Sequence, residues 1–433
     1  MKKYKHLFRK LPSNYFGNKN SGNYRFYIPP DLAVSNAECH KANSADILRT
    51  YKNSNEISLY VSIPFCKARC IYCNYFLYPY REGSEKFLDN TIKELTLLNK
   101  KVGIFKKNIT SLYFGGGTPS IISKESLSKL LSSIIKKLNL IEDCEITVEA
   151  SPEGDVQEKI EIIKNHANRL SLGIESFDDN HLKFLNRRYN SQKAKEVIKI
   201  ALEYFDNVNI DLMYGIPNQT INDWVHTIET AISLDVTGIS TYRASAIGYG
   251  PIASLIVSHR TNAPLYFIYK ENPKIFPDEK TSILMYLASK KLLEKAGYKE
   301  TLVGFFIKPN IEEIKVYQQR WAQSIPLYGI GLGAYSYAPF GFIHNHDKIN
   351  NYENNIKNND LPIRFFKNFG QQENLIFKIL GRLKSGKMFN YEEVPKDFVK
   401  YFNKLIDPQV SYGLIERQNK NINLTLLGRA LVD

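Results

Sequence analysis

From residue 57 onward the apolar positions switch repeatedly between two periods. Short runs with alternating or continuous β-branched and aromatic residues, Ile57–Ile63, Ile109–Phe114, Cys144–Ala150, Arg169–Ile174, Asn207–Met213 and Thr237–Tyr242, predict strands. Between them, apolar residues recur at helical spacing in Ser84–Lys101, Ser123–Leu138, Val156–Asn165, a pair around Asp178–Leu185 and Ser191–Tyr204, and Ile221–Leu234. Strands joined by helices imply parallel pairing with right-handed crossovers, hence an α/β fold. Six such units are too few for a complete eight-unit barrel.

The flanking segments read differently. Residues 1–56 are polar, with Tyr15, Tyr24, Tyr27 and Pro29-Pro30 and a faint helical pattern at Ala45–Tyr51, and predict an arm on the main domain. Residues 57–245 carry the alternating units, and 246–364 form a less regular extension. In that extension a helix is predicted from Pro277 to Ala296, with Asp278-Glu279 in its first turn and Gly297 as its stop, then strand-like pieces and a glycine-rich turn. Residues 365–433 predict a small C-terminal domain: helices Gln371–Leu383 and Glu393–Ile406, a hairpin-like pair at Leu414–Arg417 and Ile422–Thr425, and a closing helix.

Candidate chemistry begins where the first strand ends. Pro64 stops that strand, and Cys66, Cys70 and Cys73 follow in a C-x3-C-x2-C pattern. Parallel α/β folds keep their chemistry at the carboxyl ends of strands. Three thiolates so close together can share one metal centre, and soft sulfur selects zinc or an iron–sulfur cluster. Zinc requires a fourth ligand, whereas a [4Fe–4S] cube held by three cysteines leaves one iron open. The five cysteines of the 433 residues, three of them in this motif, argue for a reducing compartment rather than a disulfide framework. No apolar run spans a membrane and no signal peptide opens the chain, so a cytoplasmic protein is expected. A formal charge of +14 is spread along the sequence without a recognition motif, which disfavours nucleic acid and leaves a polycarboxylate substrate compatible.

The cysteine motif, with aromatic Tyr72 before its last member, resembles the signature of the radical S-adenosylmethionine (SAM) superfamily. The wider match is to its oxygen-independent coproporphyrinogen III oxidase-like branch, which includes heme chaperones and class C radical SAM methyltransferases. The resemblance implies a partial (β/α)6 barrel with an N-terminal arm and a winged-helix-like C-terminal domain. It also implies a [4Fe–4S] cluster on Cys66, Cys70 and Cys73 whose open iron binds SAM, with an electron then yielding a 5′-deoxyadenosyl radical.

Further motifs carry the resemblance. Gly115-Gly116-Gly117-Thr118-Pro119 matches a GGTP turn that holds the SAM amino group, assigning Gly116, Gly117 and Thr118 to the cofactor. Glu149 ends the third strand where the family places a SAM-contacting glutamate, and Glu175 replaces a usual glutamine in Gly173-Ile174-Glu175-Ser176-Phe177. Arg187 matches an arginine that meets a second SAM, and Ser245 a small residue bordering it. Asp211, at the end of the fifth strand, suits a ribose hydroxyl or amino group. Tyr60 and Tyr72 match cofactor-side positions, as does Tyr335 in the glycine-rich turn Tyr328–Ser336. His344 and His346 are read as loop residues in solvent.

Oxidase-specific and chaperone-specific residues are missing at Tyr317–Trp321 and Asn74-Tyr75. The expected function is therefore methyl or methylene transfer from a second SAM to an sp2 carbon of an aromatic, tetrapyrrole or natural product. Oxidative decarboxylation of coproporphyrinogen III and heme trafficking are the alternatives. A monomer fed by a flavodoxin- or ferredoxin-type electron donor completes the expectation.

Overall fold

The computed structural model describes residues 44–73, 75, 77–81, 84–244, 264–311, 325–338 and 341–432. Ser245, the 1–43 part of the expected arm and residues 317–321 lie outside them. Helix α1 (Ser44–Asn53) precedes β1 (Glu56–Ile63). Then β2 (Asn108–Gly116), β3 (Asn139–Ala150), β4 (Arg169–Glu175), β5 (Val208–Tyr214) and β6 (Gly238–Arg243) follow. They are joined through α2 (Lys86–Val102), α3 (Lys124–Ile135), α4 (Gln157–Lys164), the pair α5 (Asp179–Phe184) and α6 (Ser191–Tyr204), and α7 (Ile221–Ser233).

Strands β1 to β6 pair in chain order and in parallel. Six of the eight β1 residues and seven of the nine in β2 are buried, as expected of strands covered on both faces. Side-chain caps start the helices behind them: Ser123 accepts from Ser126 N, Asn190 from Lys193 N, and Thr220 forms a reciprocal capping box with Asp223.

The sheet is larger than six strands. After α8 (Pro264–Glu271) and α9 (Glu279–Lys295), β7 (Lys299–Leu302) and β8 (Phe305–Ile307) add antiparallel to β6. On the other edge β9 (Leu327–Gly331) lies parallel to β1, with Ser58 opposite Leu327 and Ser62 opposite Gly331. Three antiparallel strands continue outward: β10 (Tyr335–Ala338), β11 (Gly341–Asn345) and β12 (Ile363–Asn368). The order is β12-β11-β10-β9-β1-β2-β3-β4-β5-β6-β8-β7. A mixed α/β fold around a parallel sheet is what the sequence implies.

Two expectations need correction. The glycine-rich segment 328–336 is not one turn but the end of β9, a three-residue connection and the start of β10. Glycine is needed inside β9 because a Cβ on Gly329 would stand 2.4 Å from the Tyr335 carbonyl. Nor is His344 in solvent: it is in β11, 1% exposed and stacked on Tyr335.

Residues beyond α10 (Ile349–Lys357) and β12 build a second apolar cluster from α11 (Gln371–Lys384), α12 (Val399–Ser411) and the strands β13 (Phe389–Asn390), β14 (Ile415–Gln418) and β15 (Asn421–Leu424), with α13 (Leu426–Leu431) packed on α9. Helix α12 begins six residues later than the pattern predicts, after short 3-10 turns at Tyr391–Glu393 and Lys396–Phe398 on either side of Val394-Pro395. Among the described residues no helix is long and apolar enough to cross a membrane.

Candidate cluster and cofactor site

The end of β1 fixes the cysteine loop. Tyr78 N donates to Pro64 O at 2.7 Å and Tyr80 N to Cys66 O at 2.9 Å, closing the loop at its base. A turn bond from Cys73 N to Cys70 O (3.1 Å) and one from Arg69 Nη2 to Cys73 O (3.2 Å) shape its tip. The connection after α5 holds it from outside, through Asn186 Nδ2 to Arg69 O (2.8 Å) and Ile71 N to Leu185 O (3.3 Å).

All three thiols are half-buried, and none is in a disulfide. Burial, with smaller contributions from the neighbouring Cys73 and Cys70, pushes the Cys66 thiol up to about 12, although Thr118 Oγ1 lies 3.3 Å from its sulfur. The protein alone therefore keeps Cys66 protonated, and a coordinated metal would deprotonate it. Among the described residues no three His, Cys, Asp or Glu side chains converge as the ligands of one ion do. A cube asks less, because each thiolate holds a separate iron at its own corner. Three soft sulfurs on one short loop fit that group, with Cys66, Cys70 and Cys73 as its holders.

The glycine turn packs directly on this loop. Gly117 N donates to Ile63 O at 2.7 Å and Thr118 N to Phe65 O at 2.8 Å. A Cβ on Gly117 would stand 2.4 Å from Phe65 O, so only glycine allows this approach. Gly116, at φ +106°, donates to Glu149 Oε2 at 3.2 Å. The N–H groups of the turn are thus already engaged, and what it offers a ligand beside the cluster loop is shape and carbonyl oxygens.

Three acids stand on adjacent strands: Glu149 and Glu175 are at the carboxyl ends of β3 and β4, whereas Asp211, expected at a strand end, is midway along β5. Glu149 accepts from Tyr113 Oη (2.7 Å), whose ring stacks on Tyr60 with centroids 5.7 Å apart. Burial raises its carboxyl to about 7, with the Asp211 charge adding and the Tyr113 and Gly116 bonds opposing. Asp211 accepts from Asn209 Nδ2 (2.9 Å) and Ser171 Oγ (3.4 Å), and burial followed by the Glu175 charge raises it to about 6. Glu175 is 3% exposed, accepts from Tyr242 Oη, and sits at φ +64° where β4 bulges against β5. A non-glycine residue held there is strained by about 1–3 kcal/mol, a cost commonly found where a side chain must be aimed at a ligand.

Arg187 links the acids to the cysteines. Its Nη2 donates to Gly173 O (2.5 Å) and Ser151 Oγ (3.2 Å), its Nε to Tyr189 Oη (2.9 Å), and its Nη1 faces Cys70 Sγ (3.3 Å) and Tyr72 Oη (3.4 Å). Burial opposes its charge, but Tyr189, Tyr72, Glu175 and Cys70 more than offset this and hold its pKa well above the usual arginine value. Tyr72 also packs with Leu185, Met213 and Leu265.

Of the expected cofactor residues, the structure thus groups Tyr72, Gly116, Gly117, Thr118, Glu149, Glu175, Arg187 and Asp211 around the cysteine loop. Tyr60 joins them through Tyr113. Tyr335 lies on the β9–β10 flank of β1, stacked on His344 at 4.2 Å. Sequence reasoning missed Arg69, Asn186, Tyr189 and Tyr242. Tyr189, two residues after Arg187, was the accessible signal, because an aromatic hydroxyl beside a buried arginine is a ready acceptor.

Comparison with known proteins agrees with this geometry. Residues 60–231 match the family model described as the Radical SAM superfamily. The chain is 30% identical over 260 residues to the heme chaperone HemW of Buchnera aphidicola subsp. Schizaphis graminum, covering 59% of this chain and 64%, under two thirds, of that protein. It is 26% identical over 405 residues to the oxygen-independent coproporphyrinogen III oxidase of Pseudomonas aeruginosa, covering 88% of this chain and 85% of the oxidase. The solved coproporphyrinogen III oxidase (HemN) of Escherichia coli superposes with a TM-score of 0.75 at 21% identity, over 90% of this chain and 91% of that one.

Residues 60–231 thus match the radical SAM superfamily, whose defining cofactors are a [4Fe–4S] cluster and SAM. Within it, the chain is similar to the oxygen-independent coproporphyrinogen III oxidases and the HemW heme chaperones, and it shares the fold of HemN.

Proposed function

We propose that this protein cleaves SAM reductively and acts on a tetrapyrrole, with oxidation of a porphyrinogen side chain as the first reading. The observation that carries it is the convergence of the cysteine loop, the Gly115–Thr118 turn, Glu149 and Arg187 beside the carboxyl ends of neighbouring parallel strands, with Asp211 midway along β5 close enough for its charge to act on Glu149. Bound there, the cluster and SAM would supply one-electron cleavage of a sulfonium. The chain's own residues would orient the cofactor: carbonyls at the glycine turn for its amino group, Glu149 and Asp211 as acceptors for amino or hydroxyl groups. A low-potential one-electron donor is part of the proposal. The chain's net charge of +14 suits a substrate with several carboxylates.

A second reading, heme binding and delivery, is favoured by the 30% identity to a protein named as a heme chaperone. Methyl transfer from a second SAM, the leading expectation from sequence, has no counterpart in the names of the relatives described above.

Anaerobic protein reconstituted with iron and sulfide, then given dithionite, SAM and coproporphyrinogen III, tests these readings together. The first reading expects 5′-deoxyadenosine and carbon dioxide released together. Tight heme binding without substrate-coupled cleavage would move the assignment to the chaperone. S-adenosylhomocysteine with a product one methylene heavier would restore the transferase.

A further inference from the structure

The resemblance directs Arg187 to a second SAM, yet every donor it has is taken. A guanidinium carries five N–H groups, and Arg187 faces five acceptors between 2.5 and 3.4 Å: Gly173 O, Ser151 Oγ, Tyr189 Oη, Cys70 Sγ and Tyr72 Oη. Three of these, Ser151 just past β3, Gly173 in β4 and Tyr189 between α5 and α6, lock the fork in place. The two Nη1 contacts point at the cysteine loop. Gly173 permits the arrangement, since a Cβ there would crowd Nη2 at 3.2 Å.

From this geometry we infer that Arg187 is a positioning residue for the cluster: it donates to the sulfur of Cys70 and sets the cluster's reduction potential, rather than binding the carboxylate of a second SAM. The inference rests on the proposed cluster site. Its physics is direct. One electron from a chemical reductant adds a negative charge to the cube and its thiolates; no bond breaks and no proton moves. A fixed cation and hydrogen bond at one thiolate sulfur stabilise the more negative, reduced state and raise the potential. The gain is larger in a half-buried site than in water.

Redox titration of the reconstituted full-length protein, followed by electron paramagnetic resonance of the reduced cluster, reads the effect without turnover. Arg187→Gln is expected to lower the reduced-to-oxidised ratio at a fixed poise about tenfold, equivalent to a shift of about 59 mV for a one-electron couple. Arg187→Lys, which keeps the charge but not the fork, is expected to recover part of the loss. Exposed Arg188→Gln is expected to leave the ratio unchanged. A ratio for Arg187→Gln within twofold of wild type would overturn the inference.

A second measurement needs no variant. Wild-type protein grown on 15N-labelled arginine should show a 15N coupling to the reduced cluster in pulsed resonance spectra, and Arg187→Lys should lose it. Absence of that coupling in wild type also overturns the inference. If wild-type protein takes up no iron, it is the cluster assignment itself that fails, a distinguishable result.

Discussion

Among the described cysteines, half-buried Cys66, Cys70 and Cys73 differ from buried Cys144 in having one another, Thr118 and Arg187 as company. Replacing any one of the three with alanine is expected to reduce iron retained after reconstitution to below half of wild type and to abolish 5′-deoxyadenosine, measured by iron assay and chromatography. Gly117→Ala tests the turn. Its new methyl meets two backbone carbonyls, at 2.4 and 2.7 Å, that cannot yield as a side chain end would. A loss of about 1–3 kcal/mol in unfolding free energy is expected from such overpacking, together with weaker SAM binding by calorimetry. At this scale the sequence was informative where chemistry depends on residue type and spacing, as with the cysteines and the glycine turn. It was silent where conformation decides. The left-handed backbone of Glu175 follows from a bulge in β4, and the saturation of Arg187 from three loops meeting, neither of which has a local sequence signature.

Among the elements, α2 does more than cover the sheet. Its buried face includes Glu94, which accepts from Gly331 N (2.8 Å), Asn345 Nδ2 (2.7 Å) and Tyr352 Oη, tying the helix to the end of β9, to β11 and to α10. Burial raises this carboxyl from 4.5 to about 7 despite those three donors. The sign follows from proton counting. Between about pH 4.5 and 7 the folded state keeps a proton that the unfolded chain has lost, so this contribution to stability is full below 4.5 and lost as pH rises through 7. Glu149 and Asp211 act in the same direction. The urea midpoint is therefore expected to fall between pH 5.5 and 7.5, and Glu94→Gln to fall less. A steeper fall in the variant would refute the account. The six strand–helix units were legible because apolar period and caps agree in each. Strands β9 and β10 were not, since Gly329, Gly331 and Gly333 look like a turn until the close backbone contact of Gly329 with Tyr335 is seen. Glu94 itself left a trace: it shares a helical face with Leu95 and Leu98, a position where a carboxylate needs buried partners.

Over the whole molecule, the C-terminal cluster is joined to the sheet by a polar clasp. Glu300, whose side chain is 1% exposed, accepts from Tyr286 Oη (2.6 Å), Gly304 N (3.0 Å) and Lys290 Nζ (2.9 Å), and Arg429 of α13 reaches it at 3.4 Å. Arg429→Ala removes only the last of these, leaving Glu300 paired with Lys290. The expected cost is about 1.5–3 kcal/mol, the range for a hydrogen bond to a charged group. It should appear as reduced amide-exchange protection confined to α13, α11 and α12. Uniform loss across the sheet would show that the two clusters unfold as one. The sequence marked the change of pattern near residue 365 but not this attachment, because Glu300 and Arg429 are far apart in the chain.

The seventh parallel strand has a bearing on how the protein is made. Strand β1 carries the cysteine loop, yet its second flank is completed by Leu327–Gly331, and Ser62 Oγ is bonded to Leu332 O across 270 positions. On the ribosome, all six strand–helix units emerge while that flank is still bare. A growing chain in this condition presents an unpaired apolar edge to its neighbours, with the attendant danger of strand exchange and precipitation. The support beneath the metal-binding loop is finished only once Leu327–Gly331 has been made, so loading with iron belongs after that strand has emerged and paired with β1.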